Sequence, residues 1–234
     1  WGNFALGLHW RFTPTAEEEF VAEKSKSKRP AQLEVIRPEA AAAIADPEWP
    51  AFRGAQRDGR QTGVQIETDW NSHPPEQLWK TRVGPGWSSF AVAGDLLFTQ
   101  EQRGPNEAVV CYDATTGNQL WIHEQEARFS DPLGGPGPRA TPTLADGSLF
   151  AMGANGLLTR LDPTSGAVVW QNDLREVAER DPPTWGFSSS PLVTEELVIV
   201  HAGGGGDKGT LAFDIESGEL RWGAPAGDHS YSSP

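Results

Sequence analysis

The chain has 234 residues but only one cysteine, Cys111, one methionine and two tyrosines. A lone cysteine excludes an internal disulfide and any cysteine-rich metal site. Within Val109-Val-Cys-Tyr112 it reads as a buried, inert thiol. Basic residues are scarce too: 19 Lys and Arg stand against 32 Asp and Glu, a formal net charge of −13. That balance repels a phosphate backbone, which needs clustered cations to displace its counterions, so nucleic acid is excluded as a partner. The one basic cluster, residues 24–29, lies in polar sequence and reads as a solvated linker feature. The five histidines, His9, His73, His123, His201 and His229, show no metal-binding spacing. No phosphate cradle is present either, because the glycine runs 134–138 and 203–206 lack the Gly-Lys-Ser/Thr ending.

Long apolar runs are missing. Residues 1–10 fall short of the about 20 residues a bilayer span requires. Their aromatics followed by Arg11 fit either the interfacial end of an upstream membrane helix or a frayed terminus. Residues 13–48, with an acidic run, a Lys/Ser run and few aromatics, have the composition of a flexible linker. A short helix near Pro38 to Ile44 would lack a periodic apolar face to dock.

What is abundant is Gly (26), Pro (19) and Trp (10), a mixture suited to many short strands and tight turns. From residue 49 onward a repeat emerges. Asp113, Gly117 and Trp121 share the pattern Asp-x3-Gly-x3-Trp with Asp162, Gly166 and Trp170, and with Asp214, Gly218 and Trp222. The aspartates at 113, 162 and 214 give periods of 49 and 52 residues. In phase with them recur Ser88-Ser-Phe90, Ala140-Thr-Pro142, Ser189-Ser-Pro191 and Ser232-Ser-Pro234, and each of the first three leads through a hairpin turn into an apolar strand. Each unit therefore reads as four strands: the Ser/Thr-Pro strand, the strand after the hairpin, the strand ending at Asp and the strand carrying Trp. The Asp bonds the turn it opens, the Gly supplies a positive φ, and the Trp offers a large apolar face to the next unit. Four-stranded units of about 50 residues predict an all-β propeller of antiparallel blades.

These signatures, with the stretches 84–89, 99–104, 135–142 and 185–191, resemble the PQQ-like (pyrroloquinoline quinone) repeat propellers, in particular the membrane-anchored PQQ-binding-like propeller proteins of bacteria. Trp49-Pro-Ala-Phe-Arg-Gly54 resembles the family's entry sequence. The resemblance implies a propeller over residues 49–234 with about three blades present and the rest supplied beyond residue 234, preceded by the flexible segment 13–48 and, over 1–12, the end of a membrane segment. Trp79 then falls on an outer strand, residues 77–82. The implied location is periplasmic, tethered to the cytoplasmic membrane.

Blade symmetry should gather the larger groups ahead of the inner strands, Trp87, Arg139, Trp185 and Tyr231, at one mouth of the central channel, with Glu101 and Arg103 on its rim. Aromatics and one cation there suit a planar or anionic ligand or a partner's loop; otherwise they only pack the blade tops. Two functions follow from the resemblance. One is a non-catalytic binding or scaffolding propeller without cofactor, similar to the lipoprotein component of outer-membrane protein assembly. The other is a quinoprotein dehydrogenase that oxidises alcohols or sugars with PQQ and calcium. The latter class carries a vicinal cysteine pair and a Glu/Asn/Asp calcium set, and neither is evident here, which favours the first function.

Overall fold

A computed structural model describes residues 12–26, 38–227 and 230–234. The membrane-segment expectation for residues 1–12 lies outside these except at Phe12, as do His9, His229 and residues 27–29 of the basic cluster. Helices α1 (Ala16–Lys26) and α2 (Pro38–Ala45) precede the strands β1 (Ala91–Ala93), β2 (Leu96–Arg103), β3 (Asn106–Asp113) and β4 (Gln119–Glu126). There follow a small hairpin, β5 (Ser130–Asp131) and β6 (Gly135–Pro136), and then β7 (Thr143–Ala145), β8 (Ser148–Met152), β9 (Leu157–Leu161) and β10 (Val168–Asp173). After the one-turn helix α3 (Leu174–Val177) come β11 (Leu192–Val193), β12 (Leu197–His201), β13 (Thr210–Asp214) and β14 (Leu220–Ala224). The long strands form three four-stranded antiparallel sheets, each in simple sequential order. These are the expected blades, with the strand roles the repeat predicts.

The repeat chemistry is visible in each blade. Asp113 Oδ1 accepts from the backbone N–H groups of Thr115 (2.8 Å) and Thr116 (2.9 Å), and Asp214 Oδ1 accepts likewise from Glu216 and Ser217. The carboxylate thus closes the turn from within, and hydrogen bonding from the Thr115 side chain holds Asp113 below the usual carboxylate range. Trp79 and the repeat tryptophans Trp121 and Trp170 then each dock on the turn of the following blade. Trp79 Nε1 donates to Ala114 O (2.8 Å), Trp121 Nε1 to Pro163 O (2.9 Å) and Trp170 Nε1 to Ile215 O (3.0 Å). In all three the acceptor is the residue after the repeat Asp. The indole lies against the glycine of the same turn: a Cβ on Gly166, whose φ is +71°, would stand 2.6 Å from Trp121 Cε3. Only glycine meets both the left-handed backbone and the close ring. Apolar residues complete the joints, with Phe98, Trp121, Leu144, Leu149 and Leu161 between the first two blades and Phe150, Met152, Leu158, Phe187, Val198 and Phe213 between the second and third.

Trp79 acts as the repeat predicts, yet residues 77–82 are not a strand. An outer strand needs a ladder partner, and none of the described residues provides one. The described parts of the segment 13–48, residues 13–26 and 38–48, also differ from the flexible linker read from its composition. Helix α1 opens on a reciprocal capping box, Glu18 N to Thr15 Oγ1 (3.2 Å) and Thr15 N to Glu18 Oε2 (2.7 Å). It buries Phe20 with Arg103 over the ring face, and Glu17 pairs with Arg128. Helix α2 buries Ile44, with Ala40 and Ala43, against the first blade joint. One large apolar residue per helix anchors what composition alone marks as loose.

The segment after α2 runs along the free edges of the inner strands. Trp49 and Val92 exchange two backbone hydrogen bonds (3.2 and 2.8 Å), and Leu144 N donates to Pro50 O (2.7 Å). Arg57 then donates to the carbonyls of Ser190 (3.1 Å) and Pro191 (3.2 Å).

Candidate ligand surface at the blade tops

A relay of backbone-to-hydroxyl bonds aligns the inner strands. Ser89 N donates to Thr141 Oγ1 (3.1 Å), Thr141 N to Ser190 Oγ (2.9 Å) and Ser190 N to Ser233 Oγ (2.8 Å). Two positions earlier in each unit stand Trp87, Arg139, Ser188 and Tyr231, so three of the sequence-predicted residues are structural equivalents. Trp185 lies three residues further upstream.

Trp87 and Arg139 both bond the β5–β6 hairpin, and Arg139 also bonds the Trp185 carbonyl. Trp87 is 66% exposed, and its Nε1 donates to Gly134 O (2.7 Å). Arg139 Nε donates to Trp185 O (3.2 Å), and its Nη2 donates to Gly135 O (2.7 Å) and to Asp131 Oδ2. Its guanidinium carbon sits 5.2 Å from the centroid of the Phe129 ring. The Arg139–Asp131 pair is buried, so Arg139 braces the hairpin from beneath and is not itself part of the open surface. The Gly134 N–H, with further donors from Leu133 and Arg139, holds Asp131 below the usual carboxylate range. Trp185, 37% exposed, and Tyr231, 40% exposed, remain open. The Tyr231 carbonyl accepts from Ser188 Oγ (3.2 Å).

Glu101 and Arg103 form a second, separate cluster. They pair with each other while buried, and Glu101 Oε2 accepts from Tyr112 O–H (3.1 Å) and Gly84 N (2.9 Å). Arg103 also reaches Gln119 Oε1 (2.8 Å). Helix α1 covers this cluster through Phe20, and every one of these bonds is internal.

Glu107 was not among the residues singled out from the sequence. It is 3% exposed at the start of β3, and its Oε1 accepts from Ala154 N across the blade joint (3.1 Å). Burial pushes its carboxyl up to about 7, with the Ala154 bond and the charge of Arg139 opposing. The available signal was an acid placed immediately before the apolar run 108–112 of β3. Burial also pushes the Cys111 thiol up, with the Asp113 charge adding to it. Cys111 is therefore expected to resist iodoacetamide in the native protein and to react fully in denaturant; native labelling would contradict its burial.

No group of three or more His, Cys, Asp or Glu able to hold a metal forms among the described residues. No helix among them is long and apolar enough to cross a membrane.

The family model PQQ_2, described as outer membrane protein assembly factor BamB, matches residues 105–232. Quinoprotein glucose dehydrogenase of Escherichia coli (strain K12) is 26% identical over 79% of this chain and 28% of its own length. Outer membrane protein assembly factor BamB of Shewanella oneidensis is 27% identical over 63% of this chain and 36% of its own length. The chain thus spans about a third of the curated relatives it matches. Among solved structures, quinohemoprotein alcohol dehydrogenase from Comamonas testosteroni superposes with a TM-score of 0.57 at 20% identity, covering 79% of this chain and 30% of that one. Quinohemoprotein alcohol dehydrogenase ADHIIG from Pseudomonas putida gives 0.57 at 19% identity, covering 82% and 28%. At such identities the structural likeness shows the fold alone. Three blades bolted by Asp-x3-Gly-x3-Trp, together with a family match over most of the bladed region, make this chain a member of the PQQ_2 family of PQQ-like β-propeller repeats.

Proposed function

We propose that this chain is a non-catalytic binding propeller that works outside the cytoplasmic membrane and takes a partner protein on its blade tops. The observation that carries it is a pair of exposed tryptophans beside one braced glycine hairpin: Trp87 Nε1 donates to the hairpin carbonyl of Gly134, and the Trp185 carbonyl accepts from Arg139, which binds the same hairpin through Gly135 and the buried Asp131. Aromatic side chains on a rigid support present large contact area at little entropic cost, which is how binding surfaces concentrate their affinity. The match to outer membrane protein assembly factors suggests the partner's chemistry: an unfolded outer-membrane polypeptide, or a chain that handles one. The same relatives support a periplasmic location, and the aromatic sequence ahead of Arg11 supports a membrane tether. In this proposal the propeller holds neither PQQ nor calcium.

The test is a pair of titrations followed by tryptophan fluorescence. An unfolded outer-membrane β-barrel polypeptide is expected to quench the wild-type protein, and the Trp87→Ala/Trp185→Ala variant should lose at least tenfold in affinity, about 1.4 kcal/mol. The relative that is a quinoprotein glucose dehydrogenase supplies the second arm, PQQ with calcium and dye-linked oxidation of alcohols and sugars. Stoichiometric PQQ binding with turnover would replace the proposal by the dehydrogenase function.

A further inference from the structure

Helix α1 holds both limbs of chain that lead into the candidate surface. One limb climbs to Trp87. On it, Arg82 Nη2 donates to Ala16 O in the first turn of α1 (3.1 Å), and Arg82 Nη1 donates to Glu23 Oε2 (3.5 Å). The other limb opens the β5–β6 hairpin. There Arg128 grips both carboxylate oxygens of Glu17 (2.6 and 2.9 Å), and its Nη1 also donates to Gly104 O (2.5 Å) in the turn between β2 and β3. The helix is itself seated on the first blade, because Phe20 is 2% exposed with the Arg103 guanidinium 5.5 Å from its ring centroid.

The residue after Arg128 passes this hold to the surface. Phe129 O accepts from Gly137 N (3.0 Å) and so closes the hairpin at its base. The Phe129 ring carries the Arg139 guanidinium at 5.2 Å, and it lies so near Gly186, the residue after Trp185, that a Cβ there would stand 3.1 Å from Phe129 Cε1. The first limb meets the same hairpin. Trp87 N donates to Pro138 O (2.9 Å), and a Cβ on Gly137 would fall 2.2 Å from Pro85 O, so the two backbones touch without slack.

The geometry points to α1 as a splint for the blade tops. Arg82, Arg128 and Phe129 are its positioning residues, which hold Trp87, the hairpin and the Trp185 segment in fixed relation before a partner arrives. A surface ordered in advance spares the partner the entropic cost of immobilising it. The use of that surface rests on the binding function proposed above, whereas the splint is a property of the free protein.

Hydrogen exchange of the protein without any partner tests the splint. In Glu17→Ala, which removes the charged grip on Arg128, the amides of Trp87 and Gly137 are expected to exchange about tenfold faster. The amides of Gly166 and Gly218, bonded to Asp162 O and Asp214 O in the turns of the second and third blades, should keep their wild-type rates. Phe20→Ala, which unseats the helix, should give the same pattern, and Glu17→Ala decides the matter if that variant does not fold. Unchanged rates at Trp87 and Gly137, or equal acceleration at all four amides, would overturn the proposal. With an unfolded outer-membrane β-barrel polypeptide as probe, Glu17→Ala should bind about three- to tenfold more weakly than the wild type. Equal affinity despite faster exchange would overturn the positioning role, while a wild type that binds no such polypeptide would remove the binding function and leave exchange to judge the splint.

Discussion

Trp121→Ala is expected to destabilise the protein by about 3–5 kcal/mol, the range for truncating a buried large aromatic. Trp121 is 7% exposed, its ring packs at 5.9 Å from that of Phe98, and its N–H satisfies Pro163 O. Trp121→Phe keeps the ring but leaves that carbonyl unpaired, so a smaller loss of about 1 kcal/mol is expected. Trp222 carries the same motif position but is 41% exposed, because the three Asp-x3-Gly turns among the described residues already hold Trp79, Trp121 and Trp170. Trp222→Ala should therefore stay within about 0.5 kcal/mol, as surface substitutions do. Denaturant midpoints measure the contrast. Equal losses at 121 and 222 would show that the indole matters within its own blade and does not bolt two blades together.

Glu107 makes the protein more stable in mild acid than in mild alkali. Its carboxyl rises from an ordinary 4.5 to about 7 in the fold, so between those values the native state keeps a proton that the unfolded chain has released. The contribution is complete below about pH 4.5, fades as pH rises through about 7, and is absent above it. The difference is worth about 3 kcal/mol, or roughly 6–12 °C in Tm for a domain of this size. Glu107→Gln retains the acceptor for Ala154 N and cannot ionise. It should match the wild type at pH 5 and melt higher at pH 9. His123 and His201, both pushed down chiefly by burial, add a slope of opposite sign, which is why the wild-type-minus-variant difference is the quantity to measure. No change in that difference between pH 5 and 9 would mean that Glu107 is not held as a neutral acid.

The blades were legible because their determinants are local. Asp113, Gly117 and Trp121 sit within nine consecutive positions, and each acts through turn chemistry or a flat apolar ring that any neighbour of the same repeat can receive. The candidate site was legible only in part. Trp87, Arg139 and Trp185 were singled out by position, and bonds link Trp87 and Arg139 to one hairpin and Arg139 to the Trp185 carbonyl, but the inward course of Arg139 depends on Asp131, a residue that no repeat marks. Glu107 acquires its character from Gly153 and Ala154, which another blade brings to it. Phe20 in α1 finds its seat beside Arg103, far along the chain, and no composition window contains both. The capping box at Thr15 and Glu18 was there to be read, and it predicts a helix start where composition alone says linker.

The segment from Trp49 to Arg57 touches the inner edges of all three blades in succession. Arrays whose repeats meet only their neighbours unfold as a one-dimensional chain of loosely coupled units, able to fray from either end. A tie that spans three units adds a term that no pairwise sum contains: releasing the third blade also frees one end of the brace on the first and second. The blades should then melt in one sharp transition, with amide exchange at Val92 and Leu144 slowed to the rate of global opening.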